Sequence, residues 1–144
     1  MNRVILICSM LLINSVWADE LPPIGYVKTL TGEATVTTKG NIAVAKVGTP
    51  IYQNSVLNTR TQSSMGITLK DATVISVGPE TEFAIDEYAY APAKNKLKFS
   101  GRITKGSLNY VSGIIAKLQP DAVKIKTPAG HIGVRGTRFV AKVE

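Results

Sequence analysis

Between residues 97 and 104, apolar and polar side chains change places at every step. Leu97, Phe99, Gly101 and Ile103 fall on one side, and Lys98, Ser100, Arg102 and Thr104 on the other. A period of two belongs to a strand with one buried face, and no helix can present such a row. The same alternation recurs along the chain. Ala34 and Val36 alternate with Thr35 and Thr37; Met65, Ile67 and Leu69 with Gly66, Thr68 and Lys70; Val123 and Ile125 with Lys124 and Lys126. Phe83 and Ile85 read as inward, Glu82 and Asp86 as outward. Phe139, Ala141 and Val143 alternate with Arg138, Val140 and Lys142. Glycine, proline and asparagine interrupt these runs at Gly32, Lys39-Gly40-Asn41, Gly48 to Pro50 and Gly78-Pro79. Only residues 112–118 read as a helical turn, ended by Pro120. The pattern predicts an all-β fold, a compact β-sandwich or solenoid-like roll of about a dozen short strands.

One hairpin carries a local conflict. Residues 65–70 and 73–77 read as two strands closed by Asp71-Ala72. Two-residue hairpin turns favour Asn-Gly or Asp-Gly because their central residues take positive φ. An alanine held there is strained by about 1 kcal/mol.

The chain has 144 residues, enough for one domain. Its first 18 have the make-up of a secretory signal. Asn2-Arg3 is a short positive start, residues 4–13 are apolar, and Val16-Trp17-Ala18 precedes the expected cleavage before Asp19. The apolar run is too short for a transmembrane helix, which needs about 20 residues. Cys8 lies inside that run and leaves with it, so the exported chain carries no cysteine and is held together by its core alone. The expected organisation is a signal peptide over 1–18, an extended lead-in over 19–24 and a single domain over 25–144. The expected address is the periplasm, or secretion, with no transmembrane segment left after signal removal.

Charge is divided along the sequence. Residues 19–93 hold five Lys/Arg and eight Asp/Glu, a net −3, whereas residues 94–144 hold eleven and two, a net +9. Such asymmetry points to an acidic partner or an anionic surface. Lys98, Arg102, Lys124, Lys126, Arg138 and Lys142 share the outward phase of their strands, and would form a basic stripe were those strands neighbours. Export argues against nucleic acid as the ligand and for an envelope protein or an anionic envelope polymer.

The sequence holds no catalytic constellation. His131 is the only histidine, and no serine sits in a G-x-S-x-G turn. Glu80, Glu82, Asp86 and Glu87 lack the D-x-D-x-D-G spacing of a calcium loop. No enzyme activity, metal or cofactor is expected. The remaining feature is residues 123–143, where Gly130, Gly133 and Gly136 recur every three residues beside Arg135 and Arg138. The glycines read as corners of a bent β-ribbon, and the two arginines as an anion or partner site.

Gly133-Val134-Arg135-Gly136-Thr137-Arg138-Phe139, preceded by Lys126-Thr127-Pro128-Ala129, resembles the end of the FecR domain, an exported all-β module of bacteria. Val47-Gly48 through Asn58-Thr59, Leu69 through Val74 with Val77-Gly78-Pro79, and Gly106-Ser107-Leu108 resemble its earlier segments in the same order. The resemblance spans about residues 25–143. It departs at Ala72, where the family usually has glycine. It implies a soluble binding module that contacts an envelope protein in a regulatory or assembly role. In iron-uptake signalling such domains are joined through a transmembrane helix to a part that acts on a sigma factor. This chain is expected to lack both pieces and so not to pass a signal across a membrane alone. A second reading of the same basic strand face is a glycan-binding module for peptidoglycan or anionic polysaccharide.

Overall fold

The computed structural model describes residues 21–133 and 138–144. The signal-like segment and the positions of Arg135 and Gly136 lie outside these described residues. Among the described residues, twelve strands form one curled sheet. In chain order they are β1 (Gly25–Thr31), β2 (Ala34–Thr38), β3 (Asn41–Val44), β4 (Pro50–Ile51), β5 (Val56–Thr59) and β6 (Ser64–Leu69). They continue with β7 (Val74–Val77), β8 (Glu82–Ala91), β9 (Lys96–Val111), β10 (Val123–Thr127), β11 (Gly130–Gly133) and β12 (Arg138–Val143). One short helix, α1 (Ile114–Leu118), lies between β9 and β10. The expected all-β class is what the chain adopts.

The organising strand is β9, and it is not short. The alternating run that starts at 97 does not stop at 104 but continues past Gly106, making one strand of 16 residues. Its first part pairs antiparallel with β8 and parallel with β10; its last part pairs antiparallel with both β7 and β12. Gly101 thus lies between Ile85 and Ile125, and Tyr110 between Ile75 and Phe139. The strand passes from one half of the sheet to the other at Gly106, which has φ +92°, a left-handed value that other residues rarely adopt. A Cβ at this position would overlap Thr81. Thr81 in turn pins the bend: its hydroxyl accepts the Ser107 N–H at 3.0 Å, and its own N–H donates to the Thr59 hydroxyl at 2.9 Å. Three segments remote in sequence are held at one point.

The curl brings the buried faces of both halves onto one core. Val36, Leu57, Phe83, Ile85 and Ile103 come from one half; Val27, Met65, Ile67, Ile75, Leu108 and Tyr110 come from the other, and all are essentially solvent-free. Each such side chain contributes about 1.5–3 kcal/mol on leaving water. Rings run through the centre in series: Tyr88 to Phe99 at 6.2 Å, Phe99 to Tyr110 at 6.1 Å and Tyr110 to Phe139 at 5.1 Å.

The β6–β7 hairpin differs from the sequence expectation in length but not in strain. Ala72 donates its N–H to the Leu69 carbonyl at 3.0 Å, and Leu69 to the Thr73 carbonyl at 2.9 Å. The loop therefore has three residues, Lys70, Asp71 and Ala72. A three-residue loop places one residue, its last, in the left-handed region, and Ala72 has φ +68°. The reason for the extra residue is Asp71, which turns inward and is completely buried. Its carboxylate accepts bonds from the Tyr88 hydroxyl (2.9 Å), the Thr73 hydroxyl (2.8 Å), the Thr73 N–H (3.3 Å) and the Ile115 N–H (3.1 Å). Its carbonyl accepts the Ile114 N–H at 2.8 Å. Asp71 thus caps α1 from outside the helix, satisfying N–H groups that a helix start leaves unpaired.

Three stability predictions follow from this geometry. Asp71→Ala should lose about 3 kcal/mol, because several buried donors are orphaned at once, and thermal melting should fall by about 10 °C. Ala72→Gly should raise the melting temperature by a few degrees, relieving about 1 kcal/mol of strain; a fall would disprove the left-handed assignment. The third concerns alkali. Burial pushes the Tyr110 phenol up to about 12 from its usual 10.0. Burial, reinforced by the Asp71 carboxylate, raises Tyr88 further. A raised pKa means the neutral phenol is favoured in the folded state. That stabilisation is fully present below pH 10 and is lost as pH climbs through the folded values. Phenolate absorbance from these two tyrosines should therefore appear only as circular dichroism reports unfolding.

Candidate functional site

β10 lies parallel to β9 with Lys124 beside Ser100 and Lys126 beside Arg102. Parallel pairing needs a crossover, and α1 with the 3-10 turn Pro120–Ala122 supplies it. The alternation in β10 buries Val123 and Ile125 and exposes Lys124 and Lys126. Together with Lys98 and Arg102 these form a basic ledge across two strands. Of the six strand cations expected to align, the fold brings together these four. Arg138 and Lys142 are also exposed, but they sit on β12 opposite Val111 and Ser107, at the other end of β9. The described cations thus form two separate groups, divided by the bend at Gly106. Arg135 lies outside the described residues.

The ledge is partly neutralised by the strand next to it. Lys98 forms an ion pair with Glu87, and Arg102 lies 3.7 Å from Asp86. These pairs are solvent-exposed and contribute little to stability, but they use up charge. Lys124 and Lys126 have no carboxylate within ion-pair distance among the described residues. The acidic segment of β8, read in sequence as a separate feature, is in space the counterpart of half the basic one.

β11 completes the site. It forms a hairpin with β10 in which Lys126 faces His131 and Lys124 faces Gly133. His131 thus joins Arg102 and Lys126 in one row across three strands, a placement that sequence reading missed. The signal was available, since a two-residue loop at Pro128-Ala129 makes 126 and 131 cross-strand neighbours. Beside the ledge runs a groove of about 640 Å³, with Glu87, Lys98, Asp121, Lys124, Lys126 and His131 among its walls. β11 pairs only with β10 among the described residues, so its outer edge is open.

The two described glycines of the terminal segment differ in role. Gly130 has φ +143°, a value that needs glycine. A Cβ at Gly133 would meet open space, so neither strain nor close approach explains a glycine there. Gly136 lies outside the described residues. No group of three or more His, Cys, Asp or Glu that could hold a metal occurs among the described residues. No helix among them is long and apolar enough to cross a membrane.

An all-β module whose long central strand carries a cationic ledge is thus defined by its fold. The family model described as FecR protein matches residues 55–144, more than half of the chain, and the chain belongs to the FecR family. The match takes in β5 to β12 and therefore the whole ledge. The family is an envelope-associated, regulatory one. Comparison with curated proteins and with solved structures gives no match.

Proposed function

We propose that this domain is an exported binding module of the cell envelope, which contacts an envelope protein in a regulatory or assembly role, and which binds rather than catalyses. The observation that carries this reading is the pair Lys124 and Lys126, exposed, without acidic partners among the described residues, and one strand from the open edge of β11. Residues two apart on a strand lie about 6.6 Å apart on one face. An extended segment with acidic residues at alternate positions has the same repeat. Such a segment can add to the β11 edge through main-chain hydrogen bonds, with its carboxylates over the lysines. Family membership supports an envelope partner, and the separation of Arg138 and Lys142 from the ledge concentrates the proposed contact on β10 and β11.

A crosslinked pull-down from envelope extracts, at low and high salt, tests the proposal. A discrete protein retained at high salt is expected, because strand addition outlasts charge screening. Lys124→Glu with Lys126→Glu should weaken that capture at least tenfold, whereas Arg138→Glu should leave it within about twofold, since reversing close charge pairs costs more than about 1.4 kcal/mol. Recovery of polysaccharide alone, lost at high salt, would overturn the protein-partner reading and make the ledge a glycan-binding face.

A further inference from the structure

A second open edge lies at the far end of the same half-sheet. β3 is terminal in the strand order and, among the described residues, pairs only with β2. All four of its residues are exposed, and Ile42 and Val44 are 73% and 72% exposed. Val47, just beyond the strand, is 67% exposed. Edge strands in soluble proteins are commonly guarded by an internal charge, a proline or a bulge. Asn41-Ile42-Ala43-Val44 contains no charge and no proline, and its register with β2 runs unbroken.

The direction of its free hydrogen-bonding groups is fixed. Ala45 donates its N–H to the Ala34 carbonyl at 2.9 Å. Bonded pairs alternate along an antiparallel ladder, so Ala43 with Val36 and Asn41 with Thr38 are the next bonded pairs in this register. The tight turn at Lys39-Gly40, with φ of 50° and 79°, closes on that last pair. The N–H and C=O groups of Ile42 and Val44 therefore point away from β2, toward the open edge. The two residues that offer unpaired backbone groups are also the two that offer exposed aliphatic side chains.

We propose that this edge pairs with β3 of a second copy of the chain, antiparallel, about a two-fold axis through Ala43. That register sets Ile42 against Val44 of the second copy, and Val44 against Ile42 of the second copy. Both pairs are of the bonded kind, so four main-chain hydrogen bonds form and four aliphatic side chains meet on the outer face. Shifting the register by one residue would set Ile42 against Ala43, whose polar groups already serve β2, and the bonds would be lost. The edge is thus complementary to itself in a way that an isologous interface requires. Ala43, small and on the axis, permits the close approach of a non-bonded pair. On the inner side its side chain opens into a groove of about 350 Å³ that also touches Leu21, Val36, Pro50 and Tyr52, and the two grooves become continuous across the axis.

Two properties follow. Four residues a side make a contact well below standard interface size, so the dimer is weak, with a dissociation constant on the order of 10–100 μM. Lys39 and Lys46 flank the edge, and no carboxylate lies between residues 34 and 54. The copies repel at low ionic strength, and salt strengthens the dimer. Salt weakens, without abolishing, the strand addition proposed at the β10 lysines, whereas it strengthens this dimer, so the two proposals stand or fall separately.

The test is sedimentation equilibrium of the exported chain from about 10 μM to 1 mM at two salt concentrations, with amide exchange followed by NMR. The expected result is a monomer–dimer equilibrium that tightens with salt, with the Ile42 and Val44 amides gaining protection as concentration rises. Val44→Lys should abolish the dimer while leaving the NMR spectrum folded, and Val47→Lys should weaken it at most about threefold. A monomer throughout, a dimer indifferent to Val44→Lys, or open-ended growth through another edge would each overturn the proposal. So would saturable binding of an acidic peptide that protects these amides without a dimer, which would make β3 a heterologous docking edge.

Discussion

A carboxylate buried without a cation is costly unless every lone pair is used, and the arrangement around Asp71 follows from meeting that demand. Two hydroxyls and two backbone N–H groups converge on it from three places: its own hairpin, β8 through Tyr88, and the start of α1. Reaching them requires the hairpin to carry one residue more than the shortest turn, and that residue, Ala72, takes the strained conformation. Strain at Ala72 and satisfaction at Asp71 are two sides of one local solution. The effect extends beyond the turn, because α1 is the crossover that lets β10 run parallel to β9. The lysine ledge is therefore positioned, at one remove, by a hairpin on the opposite side of the strand order.

Much of this architecture can be read from the sequence, and the parts that cannot share a cause. Alternation at 97–104 and 123–127 identifies strands and their outward lysines, since side-chain phase is local. The strain at Ala72 is legible because alanine stands where a turn wants glycine. An aspartate at a hairpin tip, by contrast, looks like an ordinary exposed turn residue. Its burial depends on Tyr88 and Ile115, 17 and 44 residues away. Glycine punctuates a strand pattern, but whether Gly106 ends a strand or bends one depends on Thr81 across the sheet. Every described cation of the basic set is exposed in the expected phase, but the set falls into two groups along β9, because phase says nothing about which strand ends are neighbours.

Electrostatics shows the same lesson at larger scale. The chain divides into an acidic portion and a basic one, yet β8 and β9 pair across that division. Glu87 and Asp86 then face Lys98 and Arg102. On the ledge itself, that pairing leaves Lys124 and Lys126 of β10 without a carboxylate among the described residues, next to a histidine and the edge of β11. Binding surfaces are more informative as residual charge after internal pairing than as net charge along the chain.

The central position of β9 has a kinetic consequence. Its partners are drawn from residues 74 to 143, on both sides of it and at both of its ends. Neither half of the sheet can close around it until strands made both earlier and much later in synthesis have arrived. Such non-local pairing slows folding, since chain entropy is surrendered before the contacts repay it. A chain built this way stays pliable while it is being made and acquires its shape in a single late, cooperative step.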